Sequence, residues 1–204
     1  MARVTQAHVD SRRQAIVDAA LTMFSRKGAV SATMQEVADE AGISAGAIYR
    51  YFAGKDELVQ AVFEQISRRD QELLQAAASG IRSPAEALLN VGRVVTESLK
   101  SASVREETVL VLEEILAESR APDGPHRRRE AQGAHLARLE TLVRQAQTAG
   151  GLDDTIDPWA FAVILLCCIN GARVLALELQ GAVDMDEVFA ALQSVLFRLA
   201  PSSS

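Results

Sequence analysis

Between Thr33 and Lys55 the sequence gathers groups that hydrogen-bond well to flat or anionic partners: Thr33, Gln35, Ser44, Tyr49, Arg50, Tyr51 and Lys55. Hydroxyls, an amide, a guanidinium and an ammonium are what phosphate oxygens and base edges accept from or donate to. Ala45 and Gly46 lie among them and add almost no side chain, so the backbone there can approach a partner closely. No other stretch offers comparable chemistry. His8, His126 and His135 are scattered, and none pairs with Cys, Asp or Glu at a metal-ligand spacing, so solvated positions are expected for them. Cys167 and Cys168 are adjacent within an apolar run, where small buried groups are the expected role. No Ser/His/Asp, Cys/His or paired-carboxylate set stands at a readable spacing, so no catalytic residue, metal site or cofactor is expected.

Helices must position these groups, and the signals for helices run nearly end to end. Ile16, Ala20, Met23 and Phe24 make one apolar stripe that stops at Gly28. Thr33-Met-Gln-Glu36 has the form of a capping box opening a second helix, with Met34, Val37, Ala38 and Ala41 on one face and Gly42 at its end. Ser44 caps a short third helix ending near Phe52. Ile43 and Ile48 pin it, and its other side carries Ser44, Ala45, Gly46, Tyr49 and Arg50. A helix of this size fits a major groove. A fourth helix runs from Lys55 or Asp56 to about Ser79. Further starts stand at Ser83-Pro84, at Ser103 with Glu106 as a second capping box, near His126, at Asp157-Pro158 and at Asp184. The expectation is an all-α chain of about nine helices.

The stretch Thr33–Leu58, TMQEVADEAGISAGAIYRYFAGKDEL, resembles the signature of the TetR family of transcriptional regulators. The resemblance rests on Ser44, Gly46, Ile48, Tyr49, Tyr51, Phe52, Lys55, Asp56 and Leu58 at the family's spacing, and the helix before it is similar as well. It covers the first quarter to third of the chain. It implies a three-helix DNA-binding head over residues 1–54 and an effector-binding and dimerisation bundle over 55–204. It also implies a homodimer on double-stranded operator DNA, released by a small-molecule effector of unknown identity. Thr33, Gln35, Ser44, Ala45, Gly46, Tyr49, Arg50, Tyr51 and Lys55 take the DNA-binding positions. Many relatives carry polar residues where this chain has Ala45 and Ala47, so readout shifts to Arg50, Gln35 and Tyr49.

The resemblance further places an effector pocket among helices 4 to 7 and a dimer contact on helices 8 and 9. Polar or aromatic residues in apolar surroundings are the lining candidates: Phe63, Glu113, Glu114, Asn170 and Arg173. The scarcity of aromatics on helices 4 to 7 leans toward an aliphatic or acyl-like ligand rather than a caged cation. Cys168, Gly171, Ala172, Leu175, Phe189, Leu192, Val195 and Leu196 are the candidates for the dimer contact.

Bulk properties agree with this reading without requiring it. Of 204 residues, 49% are hydrophobic, enough for a folded core. The net charge of −6 is unevenly spread. Met1–Lys55 holds seven Lys/Arg against five Asp/Glu, a surplus of +2, and the remainder holds fourteen against twenty-two, a deficit of −8. The N-terminus has no apolar signal region, so a reduced, cytoplasmic setting without membrane contact is expected. Trp159–Ala172 is almost wholly apolar, but Arg173 and Glu178 follow, which favours a helix buried on several sides over a span of about 20 residues. Three alternatives remain open: an activator or ligand-independent regulator, an all-helical enzyme or carrier, and an interaction protein with a vestigial head.

Overall fold

The computed structural model describes residues 6–79, 81, 83–120, 127–179 and 182–198, with the backbone alone for 127–131 and 196–198. Nine helices make up the described residues, with no strand among them: α1 (Gln6–Lys27), α2 (Met34–Glu40), α3 (Ala45–Ile48), α4 (Lys55–Ala78), α5 (Pro84–Ser98), α6 (Ala102–Arg120), α7 (Arg127–Thr148), α8 (Pro158–Glu178) and α9 (Met185–Arg198). The expected loop at 121–125 lies outside the described residues.

Local chemistry accounts for most helix ends. Ser83 and Asp157 accept the backbone N–H of Glu86 and Ala160, and each precedes a proline at the first helical position. Asp184 accepts from the N–H groups of Asp186 and Glu187. The predicted box at Ser103 does not form. Helix α6 already begins at Ala102, its first turn is closed by the Arg105 N–H donating to the Ser101 carbonyl, and the Ser103 hydroxyl meets that of Ser101 at 2.9 Å.

The chain divides into two compact units. The first holds α1, α2, α3, α4 as far as Arg69, and α6 from Val109; the second holds α4 from Asp70, α5, α6 as far as Thr108, α7, α8 and α9. In the first, one continuous cluster joins Ile16, Ala20 and Phe24 of α1 to Val37 and Ala38 of α2, Ile48 of α3, Leu58 and Val62 of α4, and Leu110 of α6. A polar lock ties α1 to α4: Gln14 donates to Gln65, and Gln65 donates to Asp18 at 2.8 Å. Gln65 is buried, so this pairing also satisfies its amide.

The second unit is built differently. Its buried residues fall into three smaller clusters, around Leu139 and Ala162, around Val143 and Phe161, and around Leu99 and Ala176. Lys100 links the end of α5 to the start of α9 through Glu97 (2.7 Å) and Asp186 (2.9 Å), and these two carboxylates raise its pKa. His135, expected at the surface, is buried. Helix α8 is covered on few sides within the single chain. Only Phe161, Ala162 and Ala176 are buried along it, while Trp159, Ile164, Leu175 and Leu179 stand exposed. It is the one helix among the described residues long and apolar enough to cross a membrane.

Candidate nucleic-acid interface

The geometry of the head begins at Thr33. Its hydroxyl accepts the Glu36 N–H at 3.2 Å, and its own N–H donates to Glu36 at 3.0 Å, so the capping box forms as the spacing predicts. Lys27 donates to the same carboxylate. These bonds, first that from Lys27 and then those from the Thr33 N–H and hydroxyl, lower the Glu36 pKa from 4.5 to about 2.

Helix α2 ends in a Schellman motif. The Gly42 N–H donates to Asp39 (3.1 Å), the Ile43 N–H donates to Ala38 (2.9 Å), and Gly42 takes a left-handed φ of 66°. A Cβ would strain this backbone, which is why glycine stands at the turn. Fully buried Ala38 leaves room for the two helices to cross. The chain then re-enters a helix at Ser44, whose hydroxyl accepts the Ala47 N–H at 3.3 Å. Four residues are α-helical, and bonds from Arg50, Tyr51 and Phe52 back to Ala47 and Ile48 carry the turn onward.

Ile48 and Phe52 are the anchors of this short element, at 0% and 1% exposure. The Arg13 guanidinium lies 4.5 Å above the Phe52 ring and 3.7 Å from Glu57, whose carboxylate also accepts the Ala53 N–H at 2.7 Å. With two residues fixed inward, helical geometry turns their neighbours outward. Tyr49 is 56% exposed and Arg50 is exposed, and neither side chain has a hydrogen-bond partner among the described residues.

The other singled-out residues sort by environment. Thr33, Gln35, Ser44 and Gly46 are exposed; Ala45, Tyr51 and Lys55 are half-buried. Gln35 donates to Asp39 on its own helix at 2.7 Å. Tyr51 packs against the core cluster, and Lys55 donates to the Val30 carbonyl. The acidic side chains of α2 are each engaged: Glu36 by Lys27, Asp39 by Gln35, and Glu40 by Arg26 at 3.9 Å. Arg13 and Gln65, which hold this surface in place, carry no local sequence signal because each acts on residues far along the chain, whereas Glu57 acts both on distant Arg13 and on nearby Ala53.

The five pocket candidates take other positions. Phe63 is buried in the core of the first unit. Glu113 accepts the Ala29 N–H at 3.2 Å and occupies the space a Cβ on Gly28 would need, 2.9 Å away; Gly28 itself has a φ of 79°. Glu114 belongs to the same unit and is half-buried. In the second unit, Asn170 is half-buried and Arg173 makes a two-point ion pair with Asp70, at 2.8 and 2.9 Å. The second unit contains a groove of about 690 Å³ among α4, α5 and α7, and a smaller cavity among α5, α7, α8 and α9. None of the five candidates lines either space.

Among the candidates for the dimer contact, Cys168, Gly171, Leu175 and Val195 are exposed, and Ala172, Phe189 and Leu192 are half-buried. Cys168, Ala172, Phe189 and Leu192 line the smaller cavity. The side chain of Leu196 lies outside the described residues.

Comparison with known proteins follows the same division. Residues 16–62 match the family described as bacterial regulatory proteins, tetR family. The HTH-type transcriptional regulator SrpR of Pseudomonas putida is 31% identical over 157 residues, which are 77% of this chain and 71% of that protein. The fold is shared with a TetR-family transcriptional regulator from Pectobacterium atrosepticum (TM-score 0.72, 22% identity, 98% of this chain and 100% of that one). It is also shared with SmeT, the repressor of the Stenotrophomonas maltophilia multidrug efflux pump SmeDEF (TM-score 0.72, 20% identity, 91% and 88%).

Proposed function

The chain belongs to the tetR family of bacterial regulatory proteins and is a DNA-binding transcriptional regulator, not an enzyme; from this premise we propose that it is a homodimeric, cytoplasmic repressor released from its operator by a small molecule. The observation that carries the reading is the pair Tyr49 and Arg50, projecting without hydrogen-bond partners among the described residues from a helix held by Ile48 and Phe52. On this reading α3 enters the major groove, with Arg50 and Tyr49 at base edges and Ala45 and Gly46 against thymine methyls and backbone. Thr33, Ser44, Tyr51 and Lys55 hold phosphates, Lys55 by exchanging the Val30 carbonyl for a phosphate oxygen, and Gln35 reaches a base or phosphate beside them.

Residues 1–54 act as the reading head and 55–204 as the effector and dimerisation part. The apolar side chains left exposed on α8 and α9, among them Ile164, Leu175 and Val195, support a second copy as their cover. Two heads on a two-fold axis match two half-sites about one helical turn apart. The groove among α4, α5 and α7 supports an effector site among helices 4 to 7. An effector that prefers one arrangement of these helices shifts the population away from the DNA-competent one. Helices α4 and α6 each contribute to both units, so the chain has covalent routes for that shift.

The test is a binding selection with duplexes from the DNA flanking the coding region, followed by Arg50→Ala and Lys55→Ala on the selected site. Arg50→Ala costs about 1–3 kcal/mol of affinity and relaxes specificity at one base pair, while Lys55→Ala weakens all duplexes alike and lowers the salt slope by about one. Unchanged affinity in both variants removes the head as a reader.

A further inference from the structure

We propose that the cavity among α5, α7, α8 and α9 is a second binding site, specific for a compact uncharged hydrocarbon-like molecule of about the size of benzene. It stands apart from the groove among α4, α5 and α7. Val91 and Leu139 line both spaces and form the wall between them.

Size is the first argument. The cavity measures about 140 Å³. An apolar protein cavity of about 150 Å³ stays dry and takes up benzene or xenon. A long acyl chain or a polycyclic molecule exceeds that space.

Chemistry is the second argument. Among the described residues, no charged side chain lines the cavity. Its buried walls are Leu88, Val91, Val95 and Leu139, completed by Phe189 and Leu192 of α9. The Thr96 hydroxyl is the polar group on the α5 wall, and it donates to the Gly92 carbonyl at 2.8 Å. A carboxylate, phosphate or ammonium entering here loses its hydration and finds no counter-charge, a cost that excludes it. Water gains little either, since it requires two to four polar partners.

The walls are also fixed. A Cβ on Gly92 would lie 3.2 Å from the Phe189 ring and 3.8 Å from Leu192, so α5 and α9 are already in close contact along this edge. Lys100 ties the same two helices together at Glu97 and Asp186. The cavity is therefore a gap within a braced frame. Cys168 and Val188, the exposed members of the lining in the single chain, mark its mouth, on the α8 and α9 surface that the proposed second copy adjoins.

The experiment is a fluorine NMR titration of the full chain with fluorobenzene, without DNA. The expected result is one saturable site per chain. Val188→Phe, at the half-exposed mouth, weakens binding about tenfold or more while helicity is retained. Thr96→Val, which removes a hydroxyl already engaged by the Gly92 carbonyl, leaves binding within about threefold. Decanoate and tetrapropylammonium do not displace the probe. Absence of saturation overturns the proposal, as does undiminished binding in a folded Val188→Phe variant or displacement by decanoate. Crystals pressurised with xenon give a reading that needs no variant: the atom sits among Leu88, Val95 and Phe189, and its absence there overturns the site. None of these readouts involves operator DNA, so their failure leaves the repressor reading standing, and loss of that reading leaves the cavity standing.

Discussion

The two units of this chain solve the burial problem in opposite ways. The first gathers residues from five helices into one cluster and closes it with polar locks, Gln14–Gln65–Asp18 on one side and Glu113 against the α1–α2 turn on another. The second distributes its buried residues over three clusters, keeps two spaces open among them, and leaves a row of large apolar side chains on α8 and α9 in solvent. The lesson is that rigidity sits where a fixed surface must be presented. Open space and exposed apolar area sit where something else is to be taken up. A reader of a fixed lattice of phosphates gains from the first, and a part that changes arrangement on binding gains from the second.

Four measurements break or sharpen this contrast. Phe52→Ala has the largest expected effect. It empties a fully buried ring site and removes the partner of Arg13, so it costs about 3–5 kcal/mol of stability, read in denaturant melts. A cost below about 1 kcal/mol would mean that the first unit is as loosely filled as the second. Leu175→Glu tests the opposite property. Placed on the exposed row of α8, it leaves each chain folded but weakens self-association by about 2 kcal/mol or more, read by sedimentation; an unchanged oligomeric state would show that this face needs no cover. Gly42→Ala comes next. Open space surrounds the site, so no clash contributes, and the left-handed φ alone costs about 1–2 kcal/mol.

The smallest effect concerns acid. The Glu36 carboxylate has a folded-state pKa of about 2 against an ordinary 4.5, so its contribution is complete above the ordinary value and disappears as the pH falls through the lower one. Glu36→Gln is expected to flatten the loss of α2 amide protection between those two values. Because the group is exposed, the difference is small and shrinks with added salt. An identical acid profile in the variant would place the acid sensitivity elsewhere in the molecule.

What the sequence disclosed follows the reach of each interaction. The capping box at Thr33, the turn at Gly42, the caps at Ser83 and Asp157, and the pinned helix from Ser44 all depend on residues within about five positions, and all can be read directly. The box at Ser103 failed for a local reason too, since Ser101 stands two residues earlier and opens the helix first. The pocket candidates rested mostly on polar groups inside apolar stretches, and for two of them the partner lies far along the chain. Arg173 meets Asp70 across 103 positions, and Glu113 meets Ala29 across 84. The cavity left no trace at all, because an apolar residue facing a gap and one facing a neighbour have the same spelling. His135 misleads, being polar and yet buried.

One small feature of α3 has a use in engineering. A Cβ built on Gly46 meets no atom within 4 Å, and the backbone there is ordinary helix. The position is a vacant socket on the presenting face. Because Ile43, Ile48, Tyr51 and Phe52 seat the element, a library of side chains at 46, together with changes at 45, 49 and 50, can be screened for new target sequences, on the proposed role of α3, without redesigning the scaffold beneath. The same vacancy that leaves the natural protein with few contacts at this point makes it a convenient platform for reprogrammed specificity.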